Sequence, residues 1–202
     1  MVRMFLNRLA ARLAAVFLLL LLPGHALAAV TISFYSHEFG SNFPHAFVVL
    51  TGQDDRTGEK IDANYGFTAT QISPAILMGP VRGEVFSREP AKEAAYIAKS
   101  DRHFSFTLSD SEYDAVLQRI AAWQQLKQPS YSLNRQNCVH FVADIAATLG
   151  MTADKPPVLM KRPRSFTESL LKANRQWLLA RGGVVDREPD AEKGVKAGGR
   201  AD

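Results

Sequence analysis

A chain of 202 residues, 47% of them hydrophobic, has enough apolar material for one buried core. Part of its formal net charge of +4 comes from the N-terminus, where Arg3, Arg8 and Arg12 stand without an acid; the remainder is close to neutral and gives no charge basis for a nucleic acid partner. The single cysteine cannot make a disulfide framework, and with five scattered histidines it makes no zinc set.

The three arginines precede an apolar run, Ala14 to Leu22, that is too short to span a bilayer comfortably and is broken by Pro23-Gly24-His25. Ala26-Leu27-Ala28 follows as a small-residue cleavage site. Residues 1–28 therefore read as a signal peptide cut after Ala28 or Ala29, the competing reading being an uncleaved N-terminal anchor. The expected location is the periplasm or the medium, with no stable transmembrane segment after cleavage. Residues 30–181 are the expected domain, and 182–202, mostly Gly, Ala and charge, the expected disordered tail.

Val30 to Tyr35 alternates apolar with polar residues and reads as a strand. A loop from Ser36 to Pro44, carrying His37, leads to a mostly apolar strand, His45-Ala46-Phe47-Val48-Val49-Leu50. The turn-rich Thr51 to Gly58 joins it as a hairpin to Lys60–Phe67, on which Asp62 and Asn64 share one face and Ile61, Ala63, Tyr65 and Phe67 the other. Thr68 to Pro80 is irregular, and the whole stretch from Thr68 to Arg102 is expected to run near the cleft as a lid or wall. Within it Glu84-Val85-Phe86 is a short strand; Ser105–Leu108 is the next, with His103 just ahead.

Ser109-Asp110-Ser111-Glu112 has the form of a capping box, opening a helix whose stripe is Tyr113, Val116, Leu117, Ile120, Trp123 and Leu126. Pro129 ends that segment and delivers the chain to Tyr131. Cys138, Phe141, Val142, Ile145 and Leu149 then recur at helical spacing, with Asn137 as N-cap and Gly150 beyond the C-terminus. A last helix runs from about Ser165 to Leu179. Hairpin strands followed by helices make an α+β domain with a small antiparallel sheet packed on the cysteine helix.

A thiol on the first turn of a helix faces free backbone N–H groups and the positive end of the dipole, which favour the thiolate. Lone cysteines are more often small buried hydrophobes. In an exported chain, however, an odd cysteine points to a free thiol or an intermolecular disulfide. A nucleophilic cysteine needs a base and a third polar group to orient it. His140 lies about 200 degrees round the helix from Cys138 and faces away. His103 has no evident companion, and His37 can line the cleft or be simply solvated. His45, at the mouth of a buried strand, is the base candidate, against a reading as a hydrogen-bonded strand-edge histidine.

Asn137-Cys138-Val139-His140-Phe141-Val142 resembles the Asn-Cys-x-His-Phe-Val box of the lecithin retinol acyltransferase-like group, in the circularly permuted NlpC-like branch of the papain-type superfamily. Pro44-His45-Ala46-Phe47-Val48-Val49 is similar to that group's histidine strand, and the order of histidine before cysteine is the permuted one. The resemblance covers roughly residues 30–150, and only the six-residue box is specific. It implies a permuted papain-like fold with Cys138 as nucleophile, His45 as general base and Asn64, or alternatively Asp62, as third residue. The Cys138 backbone N–H would serve the oxyanion, with Tyr131 and His37 at the pocket.

The implied activity is acyl hydrolysis or transfer through a thioester on a lipid or other acyl ester or amide of the cell envelope, without metal or cofactor. The alternatives are a cell-wall peptidase or amidase acting on a peptide substrate, an inactive binding or scaffold protein of the same fold, and a disulfide-linked dimer through Cys138. The C-terminal membrane helix of the eukaryotic acyltransferases has no counterpart in this sequence.

Overall fold

The computed structural model describes residues 30–38, 43–88 and 94–189; the expected signal peptide, and the expected tail beyond Pro189, lie outside the described residues. The strands are β1 (Thr31–His37), β2 (His45–Asp54), β3 (Glu59–Ala69), β4 (Gly83–Arg88), β5 (Asp101–Thr107) and β6 (Val184–Val185). They form one antiparallel sheet in the order β4-β3-β2-β1-β5-β6. The helices among the described residues are α1 (Ala75–Met78), α2 (Ala94–Ala98), α3 (Asp110–Gln124), α4 (Cys138–Thr148) and α5 (Pro163–Ala180). The class is α+β, as expected.

Strand alternation sorts the sheet into two unlike faces. Ile32 and Phe34 of β1, Ala46, Val48 and Leu50 of β2, and Ile61 and Phe67 of β3 meet the apolar sides of α3, α4 and α5 in one core. Phe47 points to the opposite face, where Tyr96 of the five-residue α2 packs on it at a ring separation of 5.6 Å and on His37 at 4.5 Å. Helix α4 lies over β2 and β3, while α5 crosses β1, β2 and β5.

Local chemistry starts and stops the helices. Ser109 and Glu112 make the expected reciprocal capping box of α3. Asn137 caps α4 by accepting from the N–H groups of Val139 and His140, and Gly150 follows its end at φ 78°, a conformation a side chain would strain. Pro163 stands at the first turn of α5, where a missing N–H costs nothing.

Several boundaries differ from the sequence expectations because pairing extends strands beyond their apolar runs. His37 belongs to β1, where it pairs with His45. His103 belongs to β5, beside a register shift at Phe34/Tyr35, and there meets Ser36 Oγ at 2.8 Å, a companion the sequence did not suggest. Val184 and Val185, assigned to the tail, instead pair with Ser105 and Phe104 as β6. The described part of that segment is held by Arg102 on Asp186 at 2.6 Å and by Arg175 on Glu188 at 2.7 Å.

Candidate active site

Cys138 opens α4 in the core, only 6% exposed. Beyond the Val48–Tyr65 pair, β3 parts from β2, so Ala46 has no β3 partner. The sulfur of Cys138 comes to that gap. The backbone of Ala46, Val139 and Cys138 itself favours the thiolate, but burial outweighs it and pushes the thiol up to about 11. At neutral pH the thiol is therefore protonated, contrary to what the helix start alone implies.

The helix start is held by Asn137. Its Oδ1 accepts from Val139 N–H at 2.9 Å and His140 N–H at 3.3 Å, and lies 3.0 Å from His140 Nδ1; its Nδ2 donates to the carbonyls of Leu133 and Met160 at 2.8 and 2.7 Å. His140 is thus tied to the cap, in keeping with the structural role read from its angle on the helix. Burial, followed by the charge of Lys155, lowers its pKa.

His45 leaves β2 on the face opposite Ala46. Its ring lies over Gly66, with Phe86 at 5.5 Å and Phe47 at 6.0 Å between centroids. Nε2 is buried without a hydrogen-bond partner, and burial, then the charge of His37, lowers the pKa to about 4. The imidazole is consequently neutral. Cys138 and His45 therefore meet the same short length of β2, at consecutive residues, from its two sides and without a hydrogen bond between them. The expected bonded pair is not formed, because strand alternation turns the His45 side chain away from the core that holds the thiol.

Neither candidate for the third residue reaches His45. Asn64 is fully buried opposite Val49, and Asp62 stands opposite Thr51, both further along β2 than the histidine. His37 is 7% exposed, not a solvated loop residue; its ring stacks on Tyr96 and its Nδ1 is 3.1 Å from Ser100 Oγ. Tyr131 does approach the site. Burial and the neighbouring Cys138 raise its hydroxyl, its ring meets Phe67 at 5.7 Å, and its backbone forms a two-bond bridge with Val81.

Two participants carried weak or no sequence signals. Gly66 leaves space for the His45 ring: a Cβ there would stand 2.5 Å from Nε2. A glycine inside a strand does mark a close approach, although not of which group. The Ala46 N–H has no side-chain signal at all. Beside Pro44, a pocket of about 250 Å³ is lined by Glu38 and the Lys161–Ser165 start of α5, whose preceding residue, Met160, is anchored to Asn137. Among the described residues, no three His, Cys, Asp or Glu side chains gather as a metal would require, and no helix is long and apolar enough to cross a membrane.

The chain matches no family model, no curated protein and no solved structure. The likeness in the cysteine box stands on its own residues.

Proposed function

We propose that the protein is a cysteine-dependent acyl hydrolase or acyltransferase of the cell envelope, exported by its N-terminal segment, with a permuted papain-like arrangement of β2 and α4. The observation that carries this reading is a set of features at one place: Cys138 as the first residue of α4, with backbone dipoles at Ala46 and at the helix start that favour charge on its sulfur. Such a set can hold the negative charge that develops on sulfur or on a carbonyl oxygen beside it. Because thiol and imidazole are both neutral at rest, the chemistry begins from an uncharged pair. His45 lies on the other face of β2, so to act as base it must be brought to the sulfur by rearrangement of the β2 start at His45–Ala46; with nothing bonding Nε2, the ring then takes the thiol proton as carbon–sulfur bond formation proceeds. The imidazolium then protonates the leaving alcohol or amine, and water or another acceptor resolves the thioester.

The test is intact-mass analysis after incubation with a short-chain activated ester, in wild type, Cys138→Ser and His45→Ala. An acyl adduct on Cys138, absent in the serine variant and much slower to form in His45→Ala, is the expected result; ester turnover unchanged by Cys138→Ser would sink the reading. A second reading, a binding protein of the same fold, is favoured by the buried, protonated thiol and the unbonded histidine. It predicts no adduct with any ester or peptide tested.

A further inference from the structure

The stretch between β3 and β4 forms a closed loop whose apolar residues face outward. Thr70 N–H donates to the Arg82 carbonyl at 3.0 Å and closes its base, while Val81 bridges Tyr131 and Gly83 exchanges two bonds with the Gln128 side chain. At the far end Ile72 is 55% exposed, Leu77 79% and Met78 90%. Three large apolar side chains held out on one strapped loop call for an apolar partner.

Charge tells which partner. From Ala63 to Gly83 the only charged residue is Arg82, and the strap from Gln125 to Asn137 contributes Lys127 and Arg135 and no acid. Glu84, exposed at the base of the loop, is the one acid beside these three cations, and an apolar tip backed by such an excess suits the surface of an anionic bilayer: the tip enters the headgroup boundary while the cations stay at the phosphates. The loop is also strapped to Tyr131, the residue beside the thiol. We infer that residues 72–78 seat the protein on an anionic membrane, placing Cys138 where a membrane-resident acyl substrate can be delivered. The substrate part rests on the acyl-transfer reading; the docking itself does not.

The experiment is co-sedimentation with vesicles of phosphatidylcholine containing phosphatidylglycerol, or of phosphatidylcholine alone, using protein purified as cells process it. Wild type, Leu77→Ser/Met78→Ser and Cys138→Ser are compared, all with the same N-terminus. Wild type and Cys138→Ser are expected to bind the anionic vesicles equally and to release at high salt, and the loop variant to partition at least about tenfold less, a modest effect for two partly inserted side chains. Circular dichroism checks that the loop variant is folded; if it is not, Leu77→Gln alone is used.

Equal binding of loop variant and wild type, or of neutral and anionic vesicles, overturns the inference, as does loop-dependent self-association without vesicle binding. Hydrolysis of a soluble short-chain ester is read in parallel. Wild type that docks but does not hydrolyse the ester removes the acyl-transfer reading alone, and wild type that hydrolyses the ester but does not dock removes this inference alone.

Discussion

At position 66 a methyl group would have to displace an imidazole. A Cβ would meet His45 Nε2 at 2.5 Å and the Phe86 ring at 3.0 Å. Gly66→Ala is therefore expected to lose about 1–3 kcal/mol in urea unfolding, the usual range for overpacking, and to slow adduct formation at Cys138. The thiol gives a second residue-scale prediction. Held up to about 11, it should react sluggishly with iodoacetamide at neutral pH, and the rate should climb with pH beyond the free-cysteine range near 8.5. A profile that levels off below that range would mean the sulfur is far less desolvated than this packing requires.

Elements depend on a few multiply bonded polar groups. Asn137 joins the cap of α4 to the backbone at Leu133 and at Met160, so Asn137→Ala removes a cap and orphans two carbonyls; about 2 kcal/mol or more of stability should go with it. Glu112 likewise belongs to the α3 capping box and accepts from Arg181 Nη2 at 2.7 Å, while the Arg181 guanidinium lies over Phe106 and Trp177. At this scale the sequence was most legible, since caps, apolar stripes and turn glycines are local signals: the Ser109 box, the Asn137 cap and the stripe ending before Gly150 all appear in the fold. Strand ends were less legible, because His37 and His103 are recruited by pairing across the sheet, which no local pattern encodes. The relation of Cys138 to His45 was hidden for the same reason. The likeness in the cysteine box sets them on elements that pack together, but which side of β2 each approaches depends on where β3 parts from it.

For the whole molecule, pH is the most telling variable. His45 binds its proton at about 4 when folded and near 6.5 when unfolded, so between those values the unfolded chain holds more protons and stability rises with pH. Its contribution is fully present above about 6.5 and lost as pH falls toward 4, on the order of 2 kcal/mol for a residue that is part-buried as a whole. His140 and the lowered carboxyls of Glu112, Asp54 and Asp114 act in the same direction. Denaturation midpoints taken across this window should fall with acid, and His45→Gln should flatten the upper part of the slope. A slope unchanged in that variant would place the titration elsewhere.

The parting of β2 from β3 leaves Ala46 without a partner on that strand, and Cys138 comes to the same place in the core. Cys138 is in this sense a packing residue at the end of a strand pairing, whatever chemistry it also performs. Replacing it with alanine would leave a gap in a dry core, a loss of about 1–3 kcal/mol, whereas serine nearly keeps the volume. Inactivity of an alanine variant would then report on folding as much as on nucleophilicity. The serine variant separates the two, since its melting should stay near wild type while its acylation vanishes.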